Sequence, residues 1–361
     1  MTKKLFTLSV LFISVVCYSQ IPTDYYNTAT GTGYTLKTEL KLIVTNGHID
    51  RGYGALYDAY TNSDNDTFYE DDNTVLDMYS ENPAGPDSYN YTHNNNNCGN
   101  YNSENDCYNR EHIFPQGFFN QQLPMRTDIH HVVPSDGYVN GRRSNFPFGE
   151  ISSATWTSNN GSKVGPNIYG TYSGVVFEPI DEFKGDIARM LLYFAVRYED
   201  QVTSDSWDSH TTGNNPLNGT NNQVYENWYL QLLYKWHSED PVSPREIIRN
   251  NVAYDFQGNR NPFIDHPEYV YTIWGTVLSN TDYIFNKKTT IYPNPTTNNY
   301  IYVKNESRVI VKVYSILGKK LIEKTIDPSN SKLDISSIGK GIYLIKILTN
   351  KKSITRKFIK K

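Results

Sequence analysis

REHIFPQGFFNQQLPMRTDIHHVVPSDGYVNGRRSN, running from Arg110 to Asn145, decides how the rest of the chain is read. It gathers a Glu-His pair at 111 and 112, a His pair at 130 and 131, Asn140, and arginines at 110, 126, 142 and 143. Proline and glycine punctuate it and set tight turns between short elements. The pattern predicts a strand ending near Glu111-His112, a loop through Pro115 to Pro124, and a second strand over Asp128 to Val133. Pro134 then suits the first turn of a helix that carries Asn140. Alternation along the second strand puts Asp128 and His130 on one face, and Ile129, His131 and Val133 on the other. On that basis Asp128 and His130 support the site from behind, and His131 packs into the interior.

A neutral imidazole next to a carboxylate and an amide oxygen supplies a general base together with ligands for a hard cation. Arginines close by can clamp phosphate through paired hydrogen bonds. These residue types predict a metal-dependent phosphodiesterase that cuts nucleic acid. Blander readings exist for each residue. His112 could be a structural histidine, Glu111 an ion-pair partner of Arg110, Asn140 a helix-end residue and Arg142 a solvated cation.

Five blocks weigh against those readings: YNREHIFPQ, DIHHVVPSDGYVNGRRSNFPFG, FEPIDEFKGDIARM, WHSEDPVSPREIIRNN and QGNRNPFIDHPE. In order and content they resemble the secreted endonuclease I family, one of the ββα-metal nucleases, over roughly residues 30 to 275. The resemblance implies His112 as general base, Glu111 and Asn140 as ligands of one divalent ion, and Arg143 as the grip on phosphate. Mg²⁺ is the ion expected, with Ca²⁺ and Mn²⁺ as alternatives. Some relatives use a further arginine from an insert between the two strands. Here that interval is short and offers only Arg126. Arg260 and Asn261, in the last block, either line the cleft or hold a helix against the core.

The chain has 361 residues, enough for more than one domain and a sizeable core. Residues 1–19 read as a signal peptide, with Lys3 and Lys4 ahead of an apolar run from Leu5 to Val16. The run is short for a membrane span, so export is the expectation. Beyond it stand Cys98 and Cys107, whose spacing in an exported protein predicts a disulfide bracing the loop before Arg110.

Charge is unevenly distributed. The whole chain is −4, but residues 289 to 361 hold 15 Lys and Arg against 4 Asp and Glu. Residues 5 to 288 hold 17 Lys and Arg against 34 Asp and Glu. A domain this acidic cannot hold phosphate over its whole surface. Its arginines must be concentrated at a cleft, or divalent cations must neutralise for it.

Helical periodicity marks 35–44, 185–200 and 222–237, and Ser243-Pro244-Arg245-Glu246 reads as a capping box opening a helix to about Ala253. The stretch from Asp58 to Asn97 reads as surface loop, with a short strand at Thr74 to Ser80. The expected fold is α+β, a helix-rich nuclease domain at 20–280 built around the ββα-metal motif. A linker at 281–289 leads to a small all-β sandwich at 290–361. In that tail, YPNP, VYSILGKKL, LDISSIGKGIYLIKI and the closing KFIKK resemble the type A C-terminal sorting domain of the type IX secretion system. The resemblance implies that the secretion machinery is a partner and that the destination is the medium or the cell surface. A carbohydrate- or matrix-binding β module is the alternative for the tail.

No recognition helix, zinc finger or H-E-x-x-H spacing is present, which favours cutting without regard to base sequence. The function expected is an extracellular, sequence-nonspecific endonuclease for DNA, with RNA as a further substrate. The rivals are a secreted ribonuclease, and an exported binding protein without chemistry, as abundant Tyr and Asn would suit.

Overall fold

The computed structural model describes residues 21–203, 214–278, 289–305, 308–315, 319–348 and 353–361. The expected signal segment and all but the last residue of the expected linker lie outside them. Among the described residues no helix is long and apolar enough to cross a membrane.

The first part of the chain begins with α1 (Gly33–Thr45) and α2 (Ala55–Ser63). A pair of strands, β1 (Tyr108–His112) and β2 (Val132–Asp136), follows, and β2 runs directly into α3 (Gly137–Arg143). A three-stranded antiparallel sheet comes next, formed by β3 (Trp156–Thr157), β4 (Lys163–Pro166) and β5 (Val175–Glu178) in the order β3-β4-β5. The rest is helical: α4 (Lys184–Arg197), α5 (Asn227–Glu239), α6 (Pro244–Gln257), α7 (Pro262–Asp265) and α8 (Tyr269–Leu278).

The sequence of α4 carries an apolar stripe, yet every residue from Gly185 to Arg197 is buried. The helix is the centre of the domain, not a surface helix, and its polar residues are paired. Arg189 grips Glu246 of α6 through two nitrogens at 2.5 and 2.7 Å, and Asp186 pairs with Arg245. Glu246 is also the capping-box residue of α6, bonded to the Ser243 backbone at 2.9 Å while its own N–H donates to Ser243 Oγ at 3.2 Å. One side chain thus closes the helix end and docks it on α4.

Five expectations need correction. The second strand lies at Val132–Asp136, not over 128 to 133. Residues 128–131 form a turn, because the Asp128 carboxylate accepts the His130 N–H at 3.0 Å and its carbonyl accepts those of His131 and Val132. Pro134 therefore sits inside β2, opposite Arg110. A two-stranded sheet has only edge strands, where a missing N–H is tolerated. Thr74 to Ser80 is not a strand either. Only Val75 makes a bridge, to Asn65, and Asp77 folds its carboxylate onto Tyr79 N at 2.8 Å and Ser80 Oγ at 2.9 Å. Within the expected loop, α2 places Leu56 and Tyr60 in a second core with Tyr91, Tyr108, Ile129 and Val132. The helix expected from 222 begins at Asn227, since Val224 has φ of 70° and Tyr225 is bridged to Leu217.

Cys98 and Cys107 are disulfide-bonded. The bond clips residues 98–107 against β1, where Cys98 N donates to Tyr108 O at 3.1 Å. Tyr101 of this loop lies flat on α3. A Cβ at Gly137 or Gly141 would come within 2.6 and 2.7 Å of its ring atoms, so both positions need glycine.

The tail comprises β6 (Thr290–Tyr292), β7 (Tyr300–Lys304), β8 (Val309–Ser315), β9 (Lys320–Ile326), β10 (Lys332–Asp334), β11 (Gly341–Leu348) and β12 (Ser353–Lys360). They form two antiparallel sheets, β10-β7-β6 and β12-β11-β8-β9, around a core of Ile301, Val303, Val311, Val313, Ile345, Ile347 and Phe358. The expected sandwich is present.

Replacing both cysteines by serine should cost about 2–3 kcal/mol, the loop-closure value for a loop this short. Urea unfolding of the two proteins, followed by tryptophan fluorescence, checks this. An unchanged midpoint would mean that Tyr101 and the backbone bonds hold the loop unaided.

Candidate active site

Antiparallel register pairs Glu111 with Val133, His112 with Val132 and Tyr108 with Asp136. Asp136 is fully buried and caps α3, accepting Val139 N at 2.8 Å. This fixes the helix against β1 and brings Asn140 beside the end of that strand. Asn140 Nδ2 donates to Asn109 Oδ1 at 2.7 Å and to Arg110 O at 3.4 Å. With the nitrogen committed to β1, Oδ1 is the atom left for a cation.

Glu111, His112, Asn140 and Arg143 all line one cavity of about 190 Å³, together with Arg110, Gln116 and Asn145. The four residues singled out in the sequence therefore meet in space. Glu111 is 2 % exposed and accepts Tyr79 Oη at 3.0 Å. Burial pushes its pKa up, opposed by the Arg143 charge and the Tyr79 hydrogen bond.

His112 is 3 % exposed and flanked by Tyr53, whose ring is near parallel at 5.9 Å, and by Phe119 and His131. Its Nε2 lies 3.1 Å from Arg126 O. A carbonyl can only accept, so Nε2 carries the proton and Nδ1 keeps the lone pair. Burial drives the pKa down to about 3, helped by His131 and by the charges of Arg126 and Arg110, so the ring is neutral near pH 7.

Arg143 is buried to 2 % and runs beneath the end of β1. Nη1 donates to His112 O at 3.3 Å and Ser144 O at 3.2 Å, Nη2 to Ile113 O at 2.6 Å, and Nε lies 3.4 Å from Glu111 Oε1. Three of its five N–H groups bond carbonyls around the strand end that carries Glu111 and His112, while Nε has no hydrogen-bond partner. Arg142 is exposed and lies over Trp156 at 5.2 Å.

Two other arginines gather on the histidine side. Arg110 lies 3.5 Å over Tyr53 and 4.3 Å over Tyr57, and Arg126 lies 4.3 Å over the same Tyr53 ring. Among the described residues neither pairs with a carboxylate within 4 Å. Arg110 also borders an adjoining cavity of about 480 Å³ lined by Tyr53, Tyr57, Tyr101, Asn97 and Asn109. In the sequence Arg110 is marked only as one of the motif's arginines, and Tyr53 is not marked at all. Tyr53 lies far from the motif in sequence, and only the fold brings it there.

The histidine pair does not divide between two strand faces as expected, because it sits in a turn. His131 Nε2 bonds Met125 O at 2.7 Å and His130 Nε2 bonds Asn259 O at 3.0 Å. Asp128 accepts from Tyr193 at 2.8 Å, Tyr198 at 2.6 Å and Gln257 at 2.6 Å. All three hold the turn behind His112. Arg260 pairs with Asp265 at 2.7 and 2.8 Å, and Asn261 caps α7 through Phe263 N at 3.0 Å. Of the two roles open to them, they fill the structural one.

The Endonuclease I family model matches residues 32–268. The chain belongs to the endonuclease I family. Extracellular ribonucleases of Bacillus amyloliquefaciens and Bacillus subtilis (strain 168) are each 35 % identical to it. The first aligns over 72 % of this chain and 81 % of the relative, the second over 74 % and 84 %. An extracellular deoxyribonuclease of Aeromonas hydrophila is 28 % identical over 43 % of this chain and 64 % of its own length. Residues 290–361 match the secretion system C-terminal sorting domain. This endonuclease I family member is an extracellular nuclease, a hydrolase acting on nucleic acid, and its tail is a type IX sorting domain for export across the outer membrane.

Arg143→Lys keeps the charge but loses the fork that serves several carbonyls at once. The variant should unfold about 1–3 kcal/mol more readily, through buried acceptors left unmet. Chemical denaturation measures it, and wild-type stability in the variant would show that the fork does not hold the strand end.

Proposed function

We propose that this nuclease cuts DNA and RNA alike, using His112 as general base and one divalent ion held by Glu111 and Asn140. The observation that carries the reading is a single cavity lined by a histidine with fixed tautomer, a buried carboxylate and an amide whose nitrogen is committed elsewhere. The donor set fits Mg²⁺, which takes a few protein oxygens and leaves its other positions to water and phosphate. Such an ion would supply positive charge to the phosphoryl and leaving oxygens.

The protein's own groups do the rest. His112 Nδ1 takes the proton of the attacking water, while the Arg126 carbonyl holds the ring and favours its protonated form. An anionic phosphate entering beside the ring raises its affinity for a proton further, which offsets the effect of burial. Tyr79 keeps Glu111 turned toward the cavity, and Asn109 does the same for Asn140. Arg110 and Arg126 present charge to the phosphate on the histidine side. Arg143 adds its charge from beneath and holds the strand end in place.

None of these contacts depends on the sugar, which supports a broad substrate range. The adjoining tyrosine-lined cavity suits the face of any unstacked base, a sequence-tolerant contact. The names of the Bacillus relatives favour RNA, and that of the Aeromonas relative favours DNA.

Nicking of supercoiled plasmid and degradation of a folded RNA should both require Mg²⁺, stop with EDTA, and fall about 10²–10⁴-fold in His112→Ala. Activity that survives the substitution would move the base elsewhere. Cutting of RNA alone would make the protein a ribonuclease.

Asn109→Ala frees the Asn140 amide to rotate, and should raise the Mg²⁺ concentration for half-maximal rate about 10–100-fold. The saturating rate should change much less. An unaltered Mg²⁺ dependence would remove Asn140 from the ligand set.

A further inference from the structure

Away from the catalytic cavity, Asp66, Glu70 and Glu81 each bring a carboxylate oxygen within 4.8 Å of the others. An acidic cluster on a surface means little, but this one is not on the surface. Glu81 is 1 % exposed, and neither of its carboxylate oxygens has a hydrogen-bond partner. Glu70 Oε2 is buried without a partner as well. Among the described residues no Lys or Arg forms an ion pair with any of the three. A carboxylate buried with no donor or counter-charge either binds a cation or takes up a proton, and burial together with the neighbouring acids pushes Glu81 up to about 9 when no cation neutralises it. Asp66 is held for such a role by backbone N–H groups of Phe68 at 3.2 Å, Tyr69 at 3.1 Å and Glu70 at 3.3 Å.

We propose that Asp66, Glu70 and Glu81 form a second cation site, one that takes Ca²⁺ and serves structure instead of catalysis. The ligand chemistry selects the ion. All donors are hard carboxylate oxygens, with no histidine or cysteine to favour zinc. Three oxygens within 4.8 Å of one another can share the shell of one hard cation, and Ca²⁺ accepts an irregular ligand set that the strict octahedron of Mg²⁺ does not.

The site also has a consequence for the catalytic cavity. Glu81 N donates to Asp77 O at 2.9 Å, closing a turn that contains Tyr79. Tyr79 holds Glu111, and Asp77 Oδ2 accepts Asp136 N at 2.7 Å, at the cap of α3. A cation at Glu81 therefore clamps the segment that positions the carboxylate on one side of the catalytic cavity and the Asn140 helix on the other.

The test uses the full chain carrying Glu111→Gln, stripped with chelator, so that the result does not depend on the catalytic site. Ca²⁺ alone is titrated by calorimetry and, separately, in thermal unfolding. One saturable Ca²⁺ is expected, with a midpoint raised by about 5 °C or more at saturation. Adding Glu81→Gln, or in a second protein Glu70→Gln, should weaken binding at least ~10-fold and abolish the rise. Glu70 is only half-buried, so its variant keeps the test open should Glu81→Gln not fold. Absence of Ca²⁺ uptake, uptake untouched by the substitutions, or equal thermal response to Mg²⁺ would overturn the proposal.

Discussion

Asp136 is the point on which the site hangs. Its carboxylate has no exposure to solvent and accepts from Tyr91 Oη at 2.6 Å, Asn105 N at 2.9 Å and Val139 N at 2.8 Å. Its own N–H donates to Asp77. One residue thus closes β2, caps α3, and ties down both the disulfide loop and the Tyr79 turn. A buried carboxylate is tolerable only with its lone pairs met, so these parts cannot move independently without leaving charge unsatisfied. Rigidity at Asp136 is what gives Asn140 and Glu111 a defined relation.

The same device recurs, and it gives the chain's 30 tyrosines a purpose. Tyr79 donates to Glu111, Tyr193 and Tyr198 to Asp128, Tyr91 to Asp136 and Tyr26 to Asp265. A tyrosine brings a large apolar ring to the core and one hydroxyl donor to a carboxylate. Tyrosine donors therefore share with buried arginines the work of satisfying the interior acids. High tyrosine content suggested a sticky binding surface when read as composition. Several of these rings are interior donors instead, and they help to hold an acidic domain together.

The sequence was most legible where structure is local. The Ser243-to-Glu246 cap, the helix at 184–197, the disulfide and the β-rich tail each depend on residues near one another in the chain. The meeting of Glu111, His112, Asn140 and Arg143 was legible because all four lie in one short motif. What escaped were features set by distant partners. The turn at 128–131 replaces a strand because Tyr193, Tyr198 and Gln257 reward Asp128 for turning inward, and no pattern within the motif encodes that. The motif places Arg143 at the cavity, but not its bonds to the carbonyls at the end of β1, which only the fold supplies. Tyr53, which orders two arginines and the histidine, carries no motif at all.

Charge placement resolves the conflict between a polyanionic substrate and a domain with twice as many acids as bases. Much of the acid is internal, in Glu111, Asp128, Asp136, Asp186 and Glu246, where tyrosines, arginines and backbone N–H groups absorb it. Arg110, Arg126 and Arg143 converge around the Glu111–His112 end of β1, and a cation at Glu111 would add to them. With the proposed site, attraction to phosphate would be confined to that cavity, while the remaining acidic surface repels a polyanion beyond a Debye length only weakly. An enzyme built this way gains little from non-specific adhesion and loses little to slow release. That arrangement suits repeated cutting of dilute polymer outside the cell better than a basic surface would.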